Sequence, residues 1–277
     1  MSIELPETFI LAKQMNQELS GKTIKSYQLK DVEKFQKDGV VNKLEDFNQL
    51  IDGTIQEVTA KGMTMIIKLD NDMDLLLVAE YGGKILYHTQ GDPLPKKIHL
   101  VLTFTDNTFL TVRITYGYIL AWPDDQLEKL YVYKRDYRVL SPLDEKFNVE
   151  LLIELLSGKE QMLRPLIVGK NAIISGIGNY SWQEIVYQAK IHPKTRASDL
   201  TKEEIHQLYD AIKDIIQTRI EKGGKTKFVD LYGKQGGVKQ VLGSFILNQP
   251  CPTCETPIKK ISLGGGTTYY CPSCQKK

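Results

Sequence analysis

Apolar positions first recur with a helical period just inside the N-terminus. Pro6 suits a first helical turn, Leu11, Met15 and Leu19 fall on one face, and Ser20-Gly21 ends the run. The period then shortens. KTIKSYQL, TIQEVTA, MTMIIKL, DLLLVAE, GKILYH, HLVLTF and FLTVRITYGYIL read as strands, divided by turn signals at Asp52-Gly53, Asp70-Asn71 and Asp106-Asn107. Short strands at this spacing predict an antiparallel β-sandwich with the first helix packed alongside. Near Pro142 the helical period returns in VELLIELLSG and WQEIVYQA. TKEEIHQLYDAIKDIIQTRI opens on a capping box, Thr201 to Glu204, turns Leu208, Ile212, Ile215 and Ile216 inward, and stops at Gly223-Gly224. The pattern predicts an α+β chain in three parts: a β-sandwich over 1–135, a helical domain over 140–240 and a cysteine module over 245–277. It contains no internal repeat and no low-complexity tract.

The 277 residues leave room for two domains. With 42% hydrophobic and 25% charged residues the composition is that of a folded chain, which excludes a disordered tail or a fibrous repeat. No apolar run approaches the roughly 20 residues of a membrane helix, and no basic-then-apolar leader opens the sequence, so a cytoplasmic protein without membrane partners is expected. A formal charge of +2 does not by itself point to nucleic acid. Any basic face must come from uneven distribution, and Lys222, Lys225, Lys227, Lys234, Lys239, Lys259 and Lys260 supply one towards the C-terminus. A solvated loop accounts for the same lysines equally well.

The four cysteines all lie near the C-terminal end. Cys251, Cys254, Cys271 and Cys274 form C-x2-C-x16-C-x2-C, a spacing that brings four thiolates to one tetrahedral metal. With every position filled by protein, the expected metal is one structural zinc, held under a small hairpin that carries Ile261, Tyr269 and Tyr270. Between helices stands SGIGNYSW, where Gly176 and Gly178 permit a close backbone approach and Asn179 adds a neutral donor at a helix start. A phosphate site and a tight turn between packed helices both fit that segment. At the other end, Glu4 beside the chain terminus offers a carboxyl next to an amine.

Together these motifs resemble the formamidopyrimidine-DNA glycosylase and endonuclease VIII family, nearly end to end: ELPE before a helix, a β domain, GIGNYSWQEIVYQAKIHP, and a finger ending CPSCQ. The resemblance implies a β-sandwich facing a helix-two-turn-helix domain and a zinc finger across a cleft for double-stranded DNA. It also implies an N-terminal proline amine that attacks C1′ of a damaged nucleotide, with a neighbouring glutamate as acid. A chain-end amine has an ordinary pKa of about 7.7–8.0, so it is partly neutral and nucleophilic near pH 7.

Carried over residue by residue, the resemblance places Glu4 and Glu7 at the family's carboxylates and Ile3 where the proline should stand. Met63 replaces a reactive-site lysine, with Lys61 keeping a nearby charge. Tyr81, Gly117 or Tyr118, and Ile119 replace the wedge that fills the gap left by an extruded base. Gly266 replaces the finger arginine that grips a phosphate. Asn179 remains as phosphate donor.

Three readings follow. The first is a monomeric, nucleoid-associated DNA-repair protein that binds damaged or abasic duplex, with the terminal-amine glycosylase and lyase chemistry lost or weakened; Tyr81 would stack into a gap and Lys61, Lys225, Lys227, Lys234, Gly176, Gly178 and Asn179 would contact DNA. The second is a non-standard glycosylase or abasic-site lyase using the α-amine of Met1 or Ser2 with Glu4 as acid. The third is a zinc-stabilised protein-interaction module without DNA binding.

Overall fold

A computed structural model describes residues 3–277, so Met1 and Ser2, and with them the terminal amine of the second reading, lie outside the described residues. The first helix, α1 (Leu5–Leu19), starts where expected, and the Glu4 amide donates to Glu7 Oε2 at 3.2 Å to close its first turn. Leu11, Ala12, Met15 and Leu19 bury the predicted face.

Eight strands follow: β1 (Ile24–Leu29), β2 (Ile55–Lys61), β3 (Thr64–Leu69), β4 (Met73–Tyr81), β5 (Lys84–His88), β6 (Leu100–Phe104), β7 (Phe109–Arg113) and β8 (Tyr116–Pro123). They form two four-stranded antiparallel sheets, ordered β1-β6-β7-β5 and β2-β3-β4-β8. FLTVRITYGYIL, expected as one strand, is two. Its first half pairs with β5 and β6 and its second with β4, in the other sheet. The crossing falls at Ile114-Thr115, where the Thr115 amide leaves its own sheet to bond Tyr81 O at 2.9 Å. Two short helices, α2 (Val32–Lys37) and α3 (Leu44–Asn48), lie in the long β1–β2 connection. They carry one buried residue between them, Phe47, too little for a periodic signal.

After α4 (Tyr131–Tyr137) come α5 (Val149–Leu156), α6 (Leu163–Ile167), α7 (Asn179–Gln188) and α8 (Lys202–Glu221). The capping box forms: Glu204 N donates to Thr201 Oγ1 at 3.1 Å and Thr201 N to Glu204 Oε2 at 2.8 Å. The C-terminal hairpin is β9 (Lys259–Leu263) with β10 (Gly266–Tyr270).

One hydrophobic core fills the sandwich and a second lies among α5 to α8. They interlock. Leu5, at the start of α1, belongs to the helical core, while Phe228 and Leu231, beyond α8, pack into the sandwich core. The N-terminal segment is therefore a seam between the two halves.

Asp74 on β4 is buried to 1% exposure, and its Oδ2 has no hydrogen-bond partner among the described residues. Burial, then the nearby Asp124 and Glu57, raise its pKa from 3.8 to about 6 against the pull of Lys68. The unfolded chain ionises this group first, so native stability falls as pH rises from 3.8 to about 6, and the deficit persists above that. Asp74→Asn is expected to gain about 1–3 kcal/mol at pH 7.5, with little change at low pH, in urea unfolding at the two pH values.

Candidate nucleic-acid interface

The seam is built around a buried carboxylate. Glu4, fully buried, accepts from Tyr180 N at 3.1 Å, Ser181 N at 3.0 Å, the Ser181 hydroxyl and Arg219 Nη1 at 3.4 Å. The two amides belong to the first turn of α7, so the anion-binding end of that helix already holds a side-chain anion. Burial alone would raise the Glu4 pKa; Lys225, Arg219 and the Ser181 hydroxyl and amide overcome it and hold the group at about 2. A carboxyl at that value has no proton to donate near neutral pH.

Glu7, also fully buried, takes Arg219 through Nε at 3.1 Å and Nη2 at 2.5 Å, and the Lys225 amide at 3.3 Å. Lys225 Nζ lies 3.5 Å from Glu7 Oε2. Two carboxylates and two cations thus join α1, α7, α8 and the loop after α8.

This explains the glycine turn. A Cβ at Gly178 would sit 2.3 Å from Glu4 Oε1, and one at Gly176 (φ +84°) 2.6 Å from Leu5 Cβ and 2.9 Å from the Gly62 backbone. The close approach permitted by SGIGN is made by the chain's own N-terminus and the β2–β3 turn.

Ile3 is 2% exposed and packs in the sandwich core, and its amide donates to Glu80 O at 3.2 Å. The position that the resemblance gives to a reactive amine carries a peptide N–H in a backbone hydrogen bond and an aliphatic side chain. Met63, at the β2–β3 turn, sits above Asp136, whose Oδ2 accepts from Met63 N at 3.2 Å and Thr64 Oγ1 at 2.6 Å. Lys61 pairs with Asp144 at 3.0 Å.

Asn179 faces the C-terminal hairpin. Its Nδ2 donates to Thr267 O at 3.1 Å and its Oδ1 accepts from Arg164 Nη2 at 3.2 Å; Arg164 Nη1 donates to Gly264 O at 3.1 Å. Arg164 is 6% exposed, its Nε has no hydrogen-bond partner, and it makes no ion pair among the described residues. Burial lowers its pKa from the ordinary arginine value. A Cβ at Gly266 would lie 3.2 Å from Arg164 Nη2. A guanidinium therefore stands beside position 266, supplied by α6 and not by the finger.

A cavity of about 950 Å³ opens in front of this seam. Met63, Tyr81 and Tyr116 line it from the sandwich, Asn179 and Tyr180 from the helices, and Gly265 from the hairpin. Tyr81 and Tyr116 are register partners across β4 and β8 and are more than half exposed. Ile119, by contrast, is fully buried in the sandwich and does not reach the cavity. The lysines separate in the same way. Lys227 and Lys234 are exposed, whereas Lys225, expected on a basic surface, is 1% exposed, because Glu7 draws it inward.

The sulfurs of Cys251, Cys254, Cys271 and Cys274 lie within 4.8 Å of one another, with close pairs at 3.3, 3.4 and 3.9 Å. Four thiolates at about 2.3 Å from one zinc stand about 3.8 Å apart, so the cluster fits that ion. The module docks on α7: Tyr187 Oη lies 3.1 Å from Cys251 Sγ, and Tyr269 N donates to Gln183 Oε1 at 2.9 Å.

Comparison with known proteins agrees with this layout. Residues 3–114 match the formamidopyrimidine-DNA glycosylase N-terminal domain, 139–230 its H2TH domain, and 248–277 the zinc finger found in FPG and IleRS. A formamidopyrimidine-DNA glycosylase of Streptococcus mutans is 30% identical over 99% of both chains, and one of Pelotomaculum thermopropionicum is 32% identical over 84% of this chain and 86% of its own. The chain belongs to the formamidopyrimidine-DNA glycosylase family. Among solved structures, MutM in complex with DNA containing carbocyclic 8-oxo-G superposes with a TM-score of 0.84 at 26% identity, covering 99% of this chain and 100% of that one. Lactococcus lactis Fpg in complex with abasic-site DNA gives 0.84 at 25% identity with the same coverage. The four-cysteine cluster is thus the finger of this glycosylase family and holds one structural zinc ion. No helix among the described residues is long and apolar enough to cross a membrane.

Sequence reasoning missed Arg164, Arg219 and Asp136. For Arg219 a signal existed: Ile205, Leu208, Ile212, Ile216 and Arg219 continue one stripe of α8, so the arginine occupies a buried position of the helix. Arg164 stands between apolar neighbours on a five-residue helix and Asp136 on a seven-residue one, and neither carries such a mark.

Proposed function

We propose that this chain is a DNA-repair protein of the cytoplasm and nucleoid that binds damaged or abasic duplex DNA in the cavity before the seam, without the family's terminal-proline chemistry. The observation that carries the second half is Ile3: its nitrogen is an amide held by Glu80 and its side chain is core, while Glu4 is spent as an ionised anchor. For the first half, Arg164 is a buried cation with no ion pair among the described residues, hydrogen-bonded to Asn179, which lines the cavity, and this pair suits a backbone phosphate. Exposed Lys227 and Lys234 add non-specific attraction. Tyr81 and Tyr116 offer rings to bases beside a gap.

The test is fluorescence anisotropy with abasic and intact duplexes at one fixed salt concentration. The abasic duplex binds more tightly, and Tyr81→Ala costs about 1–3 kcal/mol of that preference, the worth of one base–aromatic stack. Equal affinities for the two duplexes would remove the reading.

A further inference from the structure

Glu80, Tyr118 and Tyr131 have no role in the reading above, yet all three line the sandwich end of the cavity. Strand geometry explains the tyrosines. Tyr116, Tyr118, Leu120 and Trp122 alternate onto one face of β8. Leu127 and Val132, from the turn before α4 and from α4 itself, cover the Leu120 end of that face. Tyr116 and Tyr118 run past this cover into the cavity wall and are joined there by Tyr131, the first residue of α4. Tyr116 and Tyr131 are more than half exposed. Glu80 arrives through a bulge: Val78 pairs with Tyr118 and Tyr81 with Tyr116, so Ala79 and Glu80 together oppose the single Gly117. Gly117 (φ +142°) has no room for a Cβ against Val78 O, so the strands close on each other only with glycine there.

Arg135 of α4 fixes the carboxylate. Its Nη1 donates to Glu80 Oε1, while Nε and Nη2 donate to Asp136 at 3.1 and 2.6 Å. Glu80 Oε2 has no hydrogen-bond partner among the described residues, and the side chain keeps 21% exposure. Burial raises the Tyr131 pKa; Arg135 opposes it, and Glu80 and Tyr118 add to it, as expected of groups around one space. The result is a set of aromatic faces beside a held carboxylate with one oxygen to spare. Such a set suits a flat ring that presents N–H donors at its edge.

From this geometry we infer that Tyr116, Tyr118 and Tyr131 hold an unpaired base and that Glu80 selects guanine. The inference rests on the DNA-binding reading above and names the DNA that this site prefers. An abasic site has no base of its own, so the unpaired base is the one across from it. On its pairing edge guanine carries two neighbouring donors, N1–H and the 2-amino group, which match a carboxylate. Adenine and cytosine set an acceptor beside their amino group, and thymine flanks its N–H with two carbonyls; each turns a lone pair towards Glu80. The preferred abasic sites are therefore those left when a cytosine-derived base has been removed opposite guanine.

The experiment is fluorescence anisotropy with duplexes identical except for the base opposite a tetrahydrofuran abasic analogue. Guanine is expected to bind about tenfold or more tightly than adenine, cytosine or thymine. Inosine, which keeps N1–H and lacks the 2-amino group, should lose several-fold of that advantage with the unaltered protein. Glu80→Gln keeps an oxygen for Arg135 but turns one acceptor into a donor. In folded protein, checked by its melting curve, the guanine preference should shrink to within about threefold while abasic duplex is still preferred over intact. Tyr131→Leu should weaken all four duplexes alike, by about fivefold or more, because stacking does not read the edge. No guanine preference, inosine equal to guanine, or a preference untouched by Glu80→Gln overturns the assignment and leaves the DNA-binding reading standing. Failure to prefer abasic over intact duplex removes that reading and this inference together.

Discussion

Arg219→Met is expected to destabilise the chain by about 3–5 kcal/mol at neutral pH, as expected when one member of a buried ion-pair network is removed. Glu4 and Glu7 are both fully buried, and Arg219 donates to each. Without it, both carboxylates lose the guanidinium they share in a site closed to water. The variant has a pH signature that a simple packing defect lacks. In the wild type, Glu4 has a folded pKa of about 2 against 4.5 in the unfolded chain. It therefore contributes stability, on the order of 3 kcal/mol, that is full above pH 4.5 and is lost as pH falls towards 2. Removing the guanidinium raises the folded pKa, so the gap between variant and wild type narrows below pH 4.5. Urea unfolding from pH 3 to pH 8 measures both effects; a gap independent of pH would show that Arg219 acts through packing alone. The damage should also spread, because the network joins α1 to α7 and α8, and both cores lose their common wall.

Zinc removal is expected to have a comparable effect on one module. The core of the finger contains Leu242, Cys251, Ile258 and Cys271 as its buried members, and two of these four are metal ligands. A hairpin of two five-residue strands has no independent stability, so the ion supplies the folding energy, on the order of 10–16 kcal/mol for structural zinc sites. Chelation, or Cys271→Ser, should unfold residues 248–277 and leave the sandwich melting transition in place. It should also free Asn179 and Arg164, which lose Thr267 O and Gly264 O as partners. Under the proposed function, abasic-duplex affinity falls with the finger. Near-ultraviolet circular dichroism of Tyr269 and Tyr270, zinc release and anisotropy follow the three events. Retained affinity after complete zinc loss would place the DNA contacts elsewhere.

Much of this molecule is local, and local features were legible. The four cysteines lie close together in sequence, so their spacing already implies a shared metal. The Thr201–Glu204 box and Gly223-Gly224 delimit α8 because caps act within one turn. Alternating apolar positions set the sheets. The division of FLTVRITYGYIL between two sheets was not legible, because both halves have strand periodicity and only pairing with β4 or β6 separates them.

The sequence by itself therefore determined the fold class and the zinc module. Only the tertiary structure decided what the polar residues do. Glu7 and Lys225 lie 218 positions apart, as do Gln14 and its neighbours beyond α8 at nearly that separation, and the sequence pattern around Lys225 is that of a solvated basic loop. Whether a charged side chain is a surface charge, an anchor or a reagent depends on its partner and its distance from water. Those are set by contacts between distant segments, and periodicity along the chain carries no record of them.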